Sequence, residues 1–552
     1  MRRPIALYAF ALLVRLGLIA AFPHPAYVDS YYYVNVAQAL QAGHGLNIDF
    51  IWAFVDVGGR LPANPHLPIP SNAHWMPLAS LVQVPFLALF GSASWAPQVP
   101  FALFGALAAP LTWAIAREAG VSRSVQLGAG LLGAVPAGAT IFMSQPDNFG
   151  LYEVLGAAAL WLTARGLRGD SRGFALAGLL VGFATLARND GVLIGLVVAL
   201  AFFWDRWRAW RSGGGRRPAI PFWSAVACAA LFAVVMVPWY ARELAVFGSI
   251  SPSSSSGRIL FIRDFAEMNS ITTPTTLAYF LGQGIGPLVT SRVLGLVAAA
   301  ANFAVIICSL VLAPFLVVGA WRRRRSGDFG PFLVYFAVLF AFSALVSAVH
   351  VPYGTFLHSA VALAPHTYVL ALEGVVAAVG WVARRRRSWH EEQAVPVFLW
   401  GTVGLTMLTA AAFTVSVVNG WTVERNYQLA VAAKLDRLGV PASDRLMTID
   451  AGGYRYTTGH GGVVTVNDPL PTIEQVAKAY DIRWLVLERG HIVPPLVPVL
   501  GGQVHQSWIG PPVLTIPSSV AAGTYPELAL YPVCVAPGDA RCAASTAAGP
   551  TP

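Results

Sequence analysis

Apolar residues run along this chain in long blocks, separated by short polar clusters. Runs at about 5–22, 97–117, 124–143, 149–164, 173–187, 190–204, 220–240, 293–320, 331–350, 358–383 and 396–418 hold few charges. A helix needs roughly 20 apolar residues to cross a bilayer, and most of these runs approach that length. A twelfth run, Pro77–Phe90, is shorter and contains Gln83 and Pro85. The pattern predicts a polytopic all-α membrane protein with eleven spans.

Arginine decides the direction of each span. Clusters stand at Arg2/Arg3, Arg117/Arg123, Arg165/Arg168/Arg172, Arg206–Arg217, Arg322–Arg325 and Arg384–Arg387. The positive-inside rule puts all of them in the cytoplasm. That is consistent only if Pro77–Phe90 is a re-entrant or interfacial helix. The N-terminus is then expected inside and the C-terminus outside. The first 22 residues resemble a signal peptide, but Arg15 interrupts the apolar stretch and no small-x-small site follows, so an uncleaved first span is expected.

Composition agrees. Of 552 residues, 56% are hydrophobic and 11% charged, against about 25% charged in a soluble domain. Mean hydropathy is +0.61. A soluble enzyme, a disordered chain and a collagen-like or disulfide-rich fold are all excluded. The net charge is 36 − 26 = +10. It is carried almost wholly by the topological Arg clusters, which removes nucleic acid as a partner. The only lysines are Lys434 and Lys478.

Three regions follow: a membrane module over 1–418, an extracytoplasmic α/β domain over 419–542, and a disordered Ala/Pro/Thr-rich tail over 543–552. In the second, Leu446–Ile449 and Val463–Val466 read as strands, Ile473–Tyr480 as a helix and Trp484–Leu487 as a strand. Cys534 and Cys542 lie there, in a compartment compatible with a disulfide. Cys228 and Cys308 sit in apolar runs as core residues. The outward segments are 23–96, short turns near 144–148 and Arg188–Asp190, a loop at 241–292, a turn near 351–357 and the C-terminal domain. Segment 23–96 is long and rich in Pro, Tyr and His, and such loops tend to carry function.

That segment opens with Tyr27-Val-Asp29-Ser-Tyr31-Tyr32-Tyr33 and reads as an amphipathic helix over Ser30–Gln41, stopped at Gly43, lying on the membrane surface. Asp29 stands at its start. It serves either as an N-cap or as a general base facing the headgroup region. Asp147, in Ser144-Gln-Pro-Asp147, lies in an outward turn and reads by itself as an N-cap for the span starting near Phe149. Glu153 would be buried in a span, which makes it a functional candidate, or it could pair with Arg188.

These motifs resemble the polyprenyl-phosphate-dependent GT-C glycosyltransferases, the superfamily of protein O-mannosyltransferases and lipid A aminoarabinose transferases. The resemblance rests on Asp29-Ser-Tyr-Tyr-Tyr to Gly43-His-Gly45, on His74-Trp-Met-Pro77-Leu78 and on Thr185-Leu-Ala-Arg188-Asn-Asp190-Gly191. It extends to Pro238-Trp239-Tyr-Ala-Arg242 with Gly248–Pro252, and to Asp481–Leu487. Many members carry two adjacent acids where this chain has Asp29-Ser30, and some have Lys or Arg where His74 stands.

The resemblance implies transfer of a sugar from a polyprenyl-phosphate donor to an acceptor hydroxyl on the outer face, with inversion. Asp29 would take the acceptor proton, helped by Asp147. Cationic donors would meet the leaving phosphate; Arg242, Arg258 and Arg263 are the candidates, Arg258 following the stretch Ser251–Gly257 that is expected to be flexible. His74, Tyr33, Glu153, Arg188, Tyr353 and His358 complete the expected substrate site. The acceptor class stays open among protein, lipid and glycan, as does a divalent cation cofactor. Membrane lipids are the remaining partners. The competing functions are a multi-pass lipid or solute transporter, and a scaffold whose outer domain binds a partner.

Overall fold

The structure, a computed structural model, describes residues 2–213, 215–386, 388–518, 525–535 and 539. The chain divides into two compact units, each drawn from three stretches of sequence. The first comprises Met1–Pro25, Trp75–Arg242 and Gly286–Asn419; the second comprises Ala26–His74, Glu243–Ile285 and Gly420–Pro552.

The first unit is helical. Among the described residues, six helices are long and apolar enough to cross a membrane: Arg2–Ala21, Ala96–Glu118, Phe222–Phe247, Ile285–Ile307, Thr355–Ala383 and Glu391–Arg437. The bent pair Arg123–Ala134 and Ala137–Ser144 makes up to seven. The helices Phe149–Gly166, Ser171–Ala187, Val192–Arg211 and Gly330–Leu345 account for four further expected runs. Exposed Leu13, Val234, Val297 and Leu408 give the long helices apolar outer faces, suited to lipid rather than water.

The expected run 293–320 is broken. A π-turn at Phe303–Ile307 closes with Cys308 N–H donating to Phe303 O at 3.0 Å. Ser309 and Leu310 then take positive φ of 48° and 61°. A second helix starts at Ala313. It packs backbone to backbone on Ala364–Ala383. A Cβ on Gly319 would lie 1.9 Å from Leu370 O, and one on Gly374 would lie 1.9 Å from Phe315 O, so small residues are obligatory at this crossing. Pro77–Phe90 forms two short helices, Leu78–Leu81 and Val84–Phe90, too short for the roughly 20 residues of a span.

The second unit carries a six-stranded sheet. Its strands are β1 (Phe50–Ile51), β2 (Arg445–Thr448), β3 (Gly462–Val464), β4 (Ile482–Glu488), β5 (Leu514–Ile516) and β6 (Leu528–Pro532), in the order β1-β3-β2-β4-β6-β5. The first three pairings are parallel and the last two antiparallel. Helices Ala451–Thr458 and Leu470–Ala479 connect the parallel strands. The strands and helix expected at 446–487 are all present. Cys534 is disulfide-bonded, while Cys542 and the expected tail 543–552 lie outside the described residues.

The expected boundary at residue 419 leaves out two loops that belong to this unit, Ala26–His74 and Glu243–Ile285. Residues of loop 23–96 supply β1, and the segment 243–285 is held through Asp468. That carboxylate accepts from Ser270 Oγ at 2.8 Å, Ile271 N at 2.7 Å and Thr272 N at 3.3 Å, and from Thr272 Oγ1. The aromatic helix spans Val28–Gln41. It does not have the expected amphipathic surface character, because every residue from Ser30 to Ala37 is buried. Its Asn35 donates to Gly452 O at 2.9 Å, and Tyr31 packs on Tyr456 at 5.6 Å between ring centroids.

Candidate active site

In the first unit, polar side chains converge where three helices begin or end. Asp147 and Asn148 precede Phe149–Gly166; Arg188 and Asp190 join Ser171–Ala187 to Val192–Arg211; His358 and Ser359 lie on Thr355–Ala360. Asp147 is fully buried. Its Oδ1 accepts from Asn148 N at 2.5 Å, and its Oδ2 lies 3.7 Å from His358 Nδ1. Asn148 Oδ1 is 3.0 Å from the same nitrogen. Two acceptors thus face Nδ1, which makes it the protonated ring nitrogen. Phe149 fixes the ring by stacking at 4.0 Å between centroids. With that proton gone, the two atoms 3.7 Å apart are spaced to share a divalent cation at the usual ~2.0–2.3 Å ligand distances.

Arg188 grips Asp190 with two hydrogen bonds, Nε to Oδ1 at 3.0 Å and Nη2 to Oδ2 at 3.2 Å, and reaches Thr355 O at 3.4 Å. Ser359 Oγ donates to Asp190 Oδ2. Below this layer, Tyr152 and Tyr335 hydroxyls meet at 3.1 Å, and Tyr335 donates to Ser359 O at 3.3 Å. Gly191 makes the turn possible, since a Cβ there would lie 2.5 Å from Thr185 N.

Glu153 is fully buried one turn below Phe149. It does not pair with Arg188, whose guanidinium is taken by Asp190. The cation in its field is Arg15 of the first helix, itself buried and donating to Ala11 O at 3.2 Å and Ala134 O at 2.9 Å. Arg242 lies over the Trp239 ring at 5.0 Å, and Tyr353 is exposed on the turn Val351–Tyr353.

In the second unit, Asp29 stands within the first turn of Val28–Gln41 rather than at its N-cap, which is Tyr27. Ser30 Oγ takes the capping work, accepting from Ala26 N at 2.9 Å and Tyr27 N at 3.1 Å. The capping reading of Asp29 is thereby replaced. Likewise the N-cap of Phe149–Gly166 is Asn148, not Asp147. Tyr33 is a core residue, edge-on to Tyr32 at 6.1 Å. His74 stacks on Trp52 at 5.4 Å with 10° between planes.

Arg258 is no solvated loop residue. It is 4% exposed, its Nε donates to Gly59 O at 2.9 Å, and the preceding Ser/Pro stretch forms a short helix, Pro252–Ser255. Its Nη1 is buried with no acceptor among the described residues. Burial pulls the guanidinium below the usual arginine range, while Asp468 and Glu267 act against that pull. Arg263 is used internally. Its Nε donates to Tyr279 O at 3.2 Å and its guanidinium lies over that ring at 3.7 Å.

The model of the dolichyl-phosphate-mannose-protein mannosyltransferase family matches residues 72–239, the stretch that holds Asp147, Glu153 and Arg188. ArnT from Cupriavidus metallidurans, bound to undecaprenyl phosphate, superposes with a TM-score of 0.54 at 14% identity, covering 95% of this chain and 97% of that one. The chain has the GT-C fold. Apo ArnT gives 0.55 at 14% identity, covering 96% and 98%. The apo oligosaccharyltransferase of Archaeoglobus fulgidus gives 0.54 at 13% identity, covering 92% of this chain and 72% of its own. No curated protein matches by sequence. The GT-C fold and the long apolar helices make this an integral membrane protein.

Asn148, Asp190, Ser359, Tyr152, Tyr335 and Arg15 join the cluster without having been singled out in the sequence. Asp190 had a signal, since it stands in the same turn motif as Arg188. Arg15 had one too, as a lone charge inside an apolar run. The tyrosines had none, being spaced like ordinary core aromatics.

Proposed function

We propose that this protein is an inverting glycosyltransferase that moves a sugar from a polyprenyl-phosphate carrier to an acceptor hydroxyl at the outer membrane face. The observation that carries the reading is a fold shared over nearly the whole of both chains with ArnT, whose structure holds undecaprenyl phosphate. The family-model match over residues 72–239 supports it.

In this reading the acceptor oxygen attacks the anomeric carbon as Asp29 takes its proton. The bond from that carbon to the phosphate oxygen breaks, and polyprenyl phosphate leaves with the electron pair. Arg258 suits the leaving phosphate because it has a buried donor with no acceptor among the described residues, and charge-assisted hydrogen bonds are the strong ones. Arg242 is the second phosphate candidate. Asp147 and His358 orient the reacting groups, and a divalent cation bound by them would supply further charge for the phosphate. Arg188 acts through Asp190 to hold the helix that carries His358. His74, Tyr33, Glu153 and Tyr353 are assigned to shaping the substrate site. The sugar is a hexose or pentose, with mannose the first to try. The C-terminal domain is outside and the N-terminus cytoplasmic.

The test uses membranes containing the full chain, supplied with labelled polyprenyl-phosphate sugars. Wild type should transfer label and Asp29→Asn should lose about 10²–10⁴-fold, the usual worth of a general base. Full transfer by Asp29→Asn would remove Asp29 as the base. Failure of the wild type to bind any polyprenyl phosphate would sink the enzyme reading.

A further inference from the structure

The first unit holds an apolar cleft of about 450 Å³ between Ser171–Ala187, Val192–Arg211 and Phe222–Phe247. Phe174, Val181, Val198, Phe202, Phe203 and Phe232 are among its lining residues. The lining runs from Val192, two residues past Asp190 of the polar cluster, to Phe202 and Phe203, next to the arginine-rich tip of the last two helices.

Two side-chain rows lead out of the cleft onto that tip. Residues four apart share a helix face, so Phe202 leads to Arg206 and Phe203 leads to Trp207 and Arg211. The contacts follow this rule. Arg206 lies over the Phe202 ring at 4.9 Å, and Arg211 lies over Trp207 at 4.9 Å. Trp204 packs on Trp207 at 4.8 Å. Trp204, Trp207, Trp210, Phe222 and Trp223 are all exposed, as aromatic residues are at a membrane interface.

The tip is strongly basic and is ordered at both ends. Residues 204–217 hold five Arg and one Asp, a net +4. The single acid, Asp205, is turned inward and accepts from Ile220 N at 2.9 Å. Arg206 donates to Ile220 O. Its Nε is buried with no partner among the described residues. The positive-inside rule puts this tip in the cytoplasm.

An apolar cleft long enough for part of an acyl chain thus opens under a cationic, aromatic rim. Lipid in general would fill the cleft, but only a headgroup with net negative charge matches the rim. We propose that the cleft is a binding site for one anionic glycerophospholipid of the cytoplasmic leaflet. Its acyl chain lies between the three helices and its phosphate is met by Arg206 and Arg211. The headgroup end, at Arg206 and Arg211, lies at the opposite end of the helix Val192–Arg211 from Asp190, and the proposal does not rest on the transfer reading.

The test is native mass spectrometry of the delipidated full chain with phosphatidylglycerol, phosphatidylcholine or undecaprenyl phosphate added in turn. Wild type should retain one phosphatidylglycerol about tenfold more tightly than phosphatidylcholine, a difference of about 1.4 kcal/mol. Arg211→Gln, at an exposed position, should lose most of that preference, and Arg206→Gln/Arg211→Gln should lose all of it. Ala199→Phe, which fills the cleft from its open side, should release the retained lipid whatever its headgroup, while thermal unfolding stays close to wild type. Equal retention of the two phospholipids by wild type would overturn the proposal. So would a preference untouched by both Arg variants, or undecaprenyl phosphate displacing phosphatidylglycerol in a way that Ala199→Phe abolishes.

Discussion

Asp147 Oδ2 and His358 Nδ1 stand 3.7 Å apart, although one residue precedes the helix at Phe149 and the other lies on Thr355–Ala360. A water-excluded carboxylate beside an imidazole is costly unless each offsets the other. Such a pair in the first unit is the strongest local sign of chemistry in that unit. Asp147→Asn keeps the shape and removes the charge. It is expected to lower transfer by about 10²-fold or more with little change in thermal unfolding. His358→Gln should do the same. Wild-type rates in both variants would make the pair a packing feature.

The Arg188–Asp190 pair should behave as a positioning element. Asp190→Asn removes one bidentate acceptor and weakens the tie to Ser359. Gly191→Ala should be worse, because its Cβ would lie 2.5 Å from Thr185 N. Both variants should lower kcat more than they change KM, and Gly191→Ala should also lower the melting temperature. A pure KM effect would instead assign Arg188 to ground-state binding.

Arg15 and Glu153 are opposite charges buried among helices, each in the other's field although no hydrogen bond joins them. Removing one partner leaves an uncompensated buried charge, at a cost of about 3–5 kcal/mol, whereas removing both is far milder. Arg15→Met or Glu153→Leu alone should therefore unfold at lower temperature in detergent than Arg15→Met/Glu153→Leu together. Additive effects would show that the two charges do not interact.

The sheet-bearing unit should be more stable in mild acid. Burial pushes the Asp450 and Glu488 carboxyls up to about 7, against 3.8 and 4.5 for ordinary groups. Between about pH 4 and 7 the folded form binds more protons than the unfolded form. Stability is then highest below that window and falls as pH rises through it. The groups around them are Glu424 on its helix, His491 beyond β4 and the Tyr454 hydroxyl. Tyr454 donates to Glu488 at 2.6 Å. Glu488→Gln keeps that acceptor and should flatten the slope while raising the melting temperature at pH 8. An unchanged pH profile would mean that these carboxyls are hydrated and ordinary.

Much of the architecture is a one-dimensional property. A membrane span must be apolar along its whole length, so the runs between Arg clusters already mark the helices, and alternation marks β2, β3 and β4. The turn motif at Arg188 and the acid at Asp147 were also visible, because polar residues between apolar runs stand out. Depth of burial was not legible. Tyr33 reads as part of a surface helix and Arg258 as a loop group, yet both are buried, since segments far apart in sequence cover them.

By itself, then, the sequence determined a multi-helix membrane protein with a small α/β domain and an acid after the first span. These follow from local apolar length, period and charge. Only the tertiary structure decided that Arg15, not Arg188, answers Glu153, and that β1 comes from the first loop. It also decided that Asp147 meets His358 and that a cleft ends under Arg206. Each depends on which helix faces which, a choice made by the packing of small residues and by the need to pair buried charges. A linear pattern carries neither.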